Sequence, residues 1–530
     1  MKFTFHLFLI CFLFFGASVS KAQQNTQGTC GTVLTPEALD YYLKQLPVAE
    51  QLMNQKSGAT VYIPVVFHSL ATDEGTGRTS DSLIFASLCK LNQFYADQDI
   101  VFYMPRGINY IDKTLVYEHD KSTTFANYWF SYYKTQGGFP KAVNVFIGKS
   151  CDGPPVPGQT TTTLGYFSPN LDILFLRISE TNGTSSTFAH EAGHFLSLMH
   201  PHNGWDGATT TIPAPFKRAP INAPNGGLTE KQSRTEAKPS SCTRAGATLY
   251  CQCSGDYLCD TGPDYNFGLG ATTCNLQNRF DSDSVLVDPT ETNVMGYFLA
   301  CGTGFSPSQK ALMTADIRRR NYHTAAAPAN LSLLTTAPSN LGPANNDINV
   351  HPFDGVKLEW SAVPGADFYY YRVYRVNPVT GALLTTVIAE GTTSSLFAEV
   401  KLGANLPYAF NVRPINAASA CPATFVRSGI TRFTTIDWGV SVEGAEAFAA
   451  DVKVFPNPAS NQISVELPNE FETISSIKLI NQLGQVVATY VPTQQTAIHH
   501  INLNSLTSGI YTVSINTTEF AINKRLVVNN

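Results

Sequence analysis

Three things are scarce in this chain. Past the first two dozen residues no apolar run is long enough to cross a bilayer, so no later membrane anchor is expected. Basic residues do not outnumber acidic ones (35 against 40, formal net charge −5), which removes the electrostatic footprint that nucleic-acid binding needs. Charged residues fill only 14% of the 530 positions, while aromatic residues reach 11%. That balance fits an exported protein with β-rich parts, and the length allows several domains.

The one long apolar run opens the chain. Met1-Lys2 is followed by apolar residues from Phe3 to Ala17 and then by Ser20-Lys21-Ala22. This is a secretory signal, 1–22, with small residues at the cleavage positions, and cleavage after Ala22 is expected. Cys11 leaves with it, and the other cysteines suit an oxidising exterior. Cys242, Cys251, Cys253, Cys259, Cys274 and Cys301 crowd one segment rich in Gly, Pro, Ser and Thr and poor in core-forming runs, where disulfides would hold the chain. Cys251-x-Cys253 is also open to a second metal site, but it has no partner pair at zinc-finger spacing. Bridges are therefore the expected use, with connectivity unassigned.

The most informative stretch is His190-Glu191-Ala192-Gly193-His194-Phe195-Leu196-Ser197-Leu198-Met199-His200. Positions four apart share a helix face, so His190 and His194 can present two imidazoles to one metal ion. Neutral imidazole suits zinc, and Glu191 beside the first ligand is placed to act as general base. His200 lies about 240° further round a continuing helix, so the helix must end and the chain turn back. Glycine usually makes such a turn because it tolerates positive φ; here the position is Ser197, which leaves the third ligand less secure than the first two. The competing reading is a buried helix that happens to carry histidines, for which Leu196, Leu198 and Met199 would serve as core. His202 is read as a solvated loop histidine, with a role as substitute ligand as the alternative. Further on, Asn293-Val294-Met295-Gly296-Tyr297 reads, taken alone, as a turn like many others, and a lone methionine such as Met295 is ordinarily core.

With these pieces the region resembles the pappalysin family of metzincin metallopeptidases. Ile63-Pro64-Val65-Val66-Phe67-His68 resembles that family's opening strand. Gly255-Asp256-Tyr257-Leu258-Cys259-Asp260-Thr261 resembles its Gly-Asp…Asp-Thr-Pro segment, with Gly262 in place of proline. Cys301 and Phe305-Ser306-Pro307-Ser308-Gln309 resemble the run after its methionine turn. The resemblance implies zinc on His190, His194 and His200, Glu191 as general base and then acid, and Met295 as the floor. It also implies Tyr297 as a donor to the tetrahedral intermediate, where an ordinary packed turn aromatic is the alternative. Calcium at Asp256 with the main-chain oxygens of Cys259 and Thr261 is implied as well, against a simple capped turn.

Cys30, in Thr29-Cys30-Gly31-Thr32, precedes the catalytic region. It is read as a cysteine switch whose thiolate takes the open zinc position, with a structural disulfide as the alternative.

The expected architecture is multidomain. A signal (1–22) and a short helical propeptide (23–58) precede an α/β metzincin-like zinc peptidase domain (59–325). Strands at 61–67, 143–147 and 173–176 and a helix at 81–95 would build a mixed sheet above the cleft, with an edge strand able to bind an extended peptide. A linker (326–343) leads to an all-β sandwich (344–436) that resembles a fibronectin type III domain, with Trp360 in an early strand and Tyr408 at a later corner. A second linker (437–451) leads to an all-β unit (452–530). Its Val454-Phe455-Pro456-Asn457-Pro458-Ala459, Ile477 to Gln485, Leu506 to Tyr511 and Lys524-Arg525-Leu526-Val527-Val528 resemble the type IX secretion sorting domain of Bacteroidetes. Export across the outer membrane by that machinery is implied.

The functional expectation is a secreted zinc endopeptidase acting on protein or peptide substrates. The alternative is a catalytically degenerate surface adhesin on the same scaffold.

Overall fold

In a computed structural model the structure describes residues 27–53, 60–136, 141–153, 161–206, 218–320 except 270, 272, 277 and 278, 328–436 except 354, 452–466, 474–492, 496–517 except 497 and 505, and 521–529. The signal (1–22), the linker at 437–451 and the start of the linker at 326–343 lie outside the described residues. The chain is a mixed α/β structure with a β-rich C-terminal part, in two compact units: 1–331 with 420–424, and 332–419 with 425–530.

The first unit begins with β1 (Gln27–Cys30) and α1 (Pro36–Leu52), whose N-cap Thr35 accepts from Ala38 N and whose Pro36 fits the first turn. β2 (Val61–Ala71), α2 (Asp81–Tyr95), β3 (Ile100–Tyr103), β4 (Asn109–Asp112), α3 (Thr114–Tyr117) and α4 (Asn127–Gln136) follow. Next come β5 (Val143–Gly148), β6 (Thr161–Ser168), β7 (Ile173–Arg177), α5 (Thr187–Phe195) and, after a long irregular stretch, α6 (Pro307–Arg319).

The sheet order is β1-β6-β7-β5-β2-β3, with β4 also on β2. β2, β3, β5 and β7 are mutually parallel, and β6 runs antiparallel to β7. Inner parallel strands are covered on both faces, which is why β2 and β5 read as nearly unbroken apolar runs. β6 would be the edge strand, but β1 pairs with it in parallel, from Gln27↔Thr161 to Cys30↔Gly165. β1 of the same chain thus completes the edge expected to take a peptide.

The second unit carries β8 (Asp347–Val350), β9 (Val356–Glu359), β10 (Phe368–Val376), β11 (Leu383–Thr393), β12 (Phe397–Val400), β13 (Pro407–Ile415) and β14 (Thr431–Thr435). They form sheets β11-β10-β13-β14-β8 and β12-β9, closed over a core of Trp360, Val373, Tyr408, Phe410 and Phe433. Tyr408 OH accepts from Gly403 N at 2.9 Å, which ties a strand corner to the backbone just upstream. The last strands are β15 (Lys453–Phe455), β16 (Gln462–Glu466), β17 (Ile474–Ile480), β18 (Val486–Tyr490), β19 (Ile498–Asn502), β20 (Gly509–Thr517) and β21 (Ala521–Val528). They form sheets β15-β16-β19 and β18-β17-β20-β21 around Ile463, Val465, Leu479, Val513 and Leu526.

Candidate metal centre

α5 carries His190 and His194 one turn apart, and every residue of the helix is buried. The helix stops after Phe195 in a Schellman arrangement: Ser197 N donates to His194 O (2.9 Å) and Leu198 N reaches back to Gly193 O (2.9 Å). That motif needs a left-handed residue, and Ser197 has φ 68°. A side chain there costs about 1–2 kcal/mol. Ser197 Oγ meets it with a hydrogen bond to Asp316 Oδ1 on α6 (2.9 Å). The reversed chain brings His200 back to the other two histidines.

The three Nε2 atoms lie 3.1, 3.2 and 3.0 Å apart. A tetrahedral zinc with Zn–N of about 2.0–2.1 Å sets its nitrogens about 3.3 Å apart. Each opposite nitrogen is committed: His190 Nδ1 donates to Val294 O (2.8 Å), His194 Nδ1 to Leu198 O (2.8 Å) and His200 Nδ1 to Asp206 Oδ1 (2.5 Å). With the protons on Nδ1, three lone pairs face one point, an arrangement that fits a cation and repels itself otherwise. Burial, with His200 adding to it, lowers His190 to about 3; burial likewise lowers His194 and His200, which favours the neutral form a metal ligand needs.

Met295 is fully buried, and its Sδ would lie 2.4 Å from a Cβ placed at Gly193. Gly193 therefore permits the close approach of the methionine under the histidine helix. Glu191, fully buried, accepts from Thr32 Oγ1 at 3.0 Å and faces Cys30 Sγ at 3.4 Å through Oε2. Burial raises its pKa to about 8, and the bonds from Cys30 and Thr32 oppose that rise. Cys30 is not in a disulfide; its Sγ and one ring nitrogen from each of the three histidines all lie within 4.8 Å of one another. Burial and Glu191 push its thiol well up; a nearby divalent cation would act the other way. Tyr297 OH accepts from Cys30 N (3.2 Å), and its ring stands 5.1 Å from that of His200.

Elsewhere the structure departs from expectation or adds to it. His202 is not solvated: it is fully buried, stacked on His200 at 4.5 Å, with Nε2 3.3 Å from Asp206 and Nδ1 3.7 Å from Asp264. Burial lowers its pKa, but the two carboxylates outweigh that and raise it to about 9. The stretch is irregular without being solvated, because it packs Trp205 and Tyr265 into a small core of its own. Asp206 and Thr32 were not anticipated. Their only trace in the sequence is a carboxylate shortly after the third histidine and a hydroxyl two residues past the cysteine.

Asp256 is buried, with Oδ1 accepting from Leu258 N (3.1 Å) and Thr261 Oγ1 (2.8 Å), and with Oδ2 lacking a hydrogen-bond partner. The Thr261 carbonyl already accepts from the Arg234 guanidinium, and Cys259 is bridged to Cys251. A cleft of about 1770 Å³ runs past the histidines, lined by the leader from Thr29 to Tyr42 and by Phe167, Trp205, Asp206 and Tyr297 among others.

Comparison with known proteins gives a clear result only at the C-terminus. Residues 453–529 match the family model of the secretion system C-terminal sorting domain. No curated protein matches the chain. Among solved structures, a mutant of Tannerella forsythia promirolysin is 18% identical, with 56% of this chain and 96% of that one covered and a TM-score of 0.27. Fibronectin(III)-like modules of Clostridium thermocellum CbhA are 11% identical, with 36% and 92% covered and a TM-score of 0.14. At such scores neither likeness carries an assignment. No described helix is long and apolar enough to cross a membrane. The C-terminal match marks the chain for export across the outer membrane of a Bacteroidetes-type bacterium.

Proposed function

We propose that this chain is the latent precursor of a secreted zinc endopeptidase, with its catalytic domain at 59–325 and its sandwich at 344–436. The observation that carries this reading is the triangle of Nε2 atoms, each held by a carbonyl or carboxylate behind it. A zinc ion on those nitrogens supplies Lewis acidity toward water and a peptide carbonyl. Glu191 takes the proton of the attacking water and returns it to the leaving amine. The Tyr297 phenol donates to the developing oxyanion. β6, once free of β1, offers main-chain hydrogen bonds to an extended substrate.

The leader blocks all of these at once. Cys30 brings a fourth ligand to the metal position, Thr32 caps Glu191 and also accepts from Phe167 N (2.8 Å), and β1 fills the edge. Calcium, if bound at the Asp256 loop, would attach at Oδ2. The residues point to peptide substrates as a class.

The test is zinc content and casein cleavage for the full chain and for chain lacking the leader through Leu52. One equivalent of zinc in both, with cleavage only in the second, is expected. Glu191→Ala should keep zinc and lose cleavage. Cys30→Ala should release part of the activity, and a variant as latent as the parent would remove the switch from the reading. Zinc without cleavage in the shortened chain would favour the adhesin alternative.

A further inference from the structure

We infer that Asp316 is a positioning residue for the metal centre, acting through Ser197. This rests on the zinc reading above and adds to it a role for a residue that touches no ligand. Asp316 is fully buried on α6. Its Oδ1 accepts from Ser197 Oγ at 2.9 Å, and its Oδ2 forms an ion pair with Arg320 Nε at 2.7 Å. Ser197 is the left-handed residue of the turn that ends the zinc helix. Two ligands depend on that turn. Leu198 O, the next carbonyl, accepts from His194 Nδ1 and so keeps the His194 lone pair on Nε2. The chain that leaves the turn is the one that delivers His200.

A glycine would hold such a turn without help. Serine holds it because its hydroxyl finds a buried carboxylate acceptor on α6. Asp316 therefore supplies from α6 what glycine would supply from the backbone.

The same Oδ1 accepts from Tyr41 OH of α1 at 2.5 Å. This second bond docks the leader and is separable from the first.

The experiment measures zinc affinity of the full chain by chelator competition, with the melting temperature of the zinc-free protein as a second reading. Ser197→Ala keeps the Cβ and loses the hydroxyl, and should weaken zinc about tenfold, as loss of outer-sphere partners does. Ser197→Gly loses the same hydroxyl and should bind as the parent does. Asp316→Ala should weaken zinc about tenfold in the parent and less than about twofold in the Ser197→Gly background. Tyr41→Phe should leave zinc affinity within about twofold of the parent, because Tyr42 OH still donates to Asp256 O at 2.5 Å and holds α1, and Cys30 with it, in place. The zinc-free melting temperatures should rank the same way, with Ser197→Gly at or above the parent and Ser197→Ala below it. The inference is overturned if Ala and Gly at 197 behave alike, or if Asp316→Ala costs the same in both backgrounds. A parent chain that takes up no zinc would sink the enzyme reading instead, and the melting series would then decide the role of Asp316 in the turn.

Discussion

The first unit is built in two ways. From residue 61 to 195 it is a sheet with helices against it, held by apolar side chains such as Phe67, Val145, Leu174 and Phe175, all fully buried. From 198 to 306 the described residues form no strand and a single three-residue helical turn, Cys251–Cys253. Cross-links hold that second region: Cys242–Cys253, Cys251–Cys259 and Cys274–Cys301. Ion pairs add to them, with Lys231 between Glu236 and Asp283 and Arg234 on the buried Glu230. The candidate metal centre takes His190, Glu191 and His194 from the first region and His200, Met295 and Tyr297 from the second. Half of the site thus rests on a hydrophobic core and half on chemistry that only an oxidising exterior permits. Export and site assembly are linked by that dependence.

The comparison breaks most sharply at the sheet. Phe175→Ala opens a cavity among Phe146, Tyr166 and His119, and should cost about 3–5 kcal/mol of global stability. Thermal unfolding would register it as one lowered transition. An unchanged transition would mean that the sheet is not the cooperative core of this unit.

Removing the bridge beside the methionine turn should act differently. Cys274 and Cys301 close 27 residues of chain, which corresponds to about 3–4 kcal/mol of loop entropy. The double Cys→Ser variant should keep the far-ultraviolet β signal and lose zinc affinity, because the floor under the histidines loosens while the sheet stays. Equal damage to both signals would show that the two regions fold as one.

The same contrast explains what could be read in advance. The helix at 81–95 and the strands near 61, 143 and 173 were legible because a covered sheet imposes apolar runs and an amphipathic helix imposes its period. The histidine helix was legible because two candidate ligands and a candidate base share one turn of backbone. In the cross-linked region short motifs such as Asn293 to Tyr297 and Gly255 to Thr261 stood out, but no periodicity tied them together, and six crowded cysteines announced bridges without naming partners. His202 was misplaced because no periodicity marks burial in irregular chain. Asp316 and Thr32 were invisible because each meets its partner across a long stretch of sequence, Ser197 to Asp316 over 119 residues and Thr32 to Glu191 over 159. Such pairs exist only once the fold has brought them together.

Acid offers the finest separation of the two regions, because the sheet buries a histidine that must stay neutral. His68, fully buried in β2, lies flat on Phe146 at 4.2 Å. Its Nε2 donates to Asn144 Oδ1 (2.9 Å), and its Nδ1 accepts from Asn109 Nδ2 (2.9 Å). A second proton would turn Nδ1 into a donor facing a donor. Burial lowers its pKa to about 4, Asn144 opposes the shift, and Arg106 adds to it. The unfolded chain binds that proton near pH 6.5, so between about 6.5 and 4 the unfolded state holds more protons than the folded one. Stability therefore falls as pH drops through that window, by on the order of 3 kcal/mol from this residue, and levels off below it. His119, also buried and lowered to about 4, adds in the same direction. The measurement is the melting temperature of zinc-free protein against pH, which removes the metal ligands' own loss of zinc. His68→Gln should make the slope between pH 6.5 and 4 shallower by His68's share alone, because His119 and the zinc-free His190, His194 and His200 keep theirs. A slope unchanged by the substitution would mean that His68 does not stay neutral in the folded sheet and that the acid sensitivity comes from the other buried histidines.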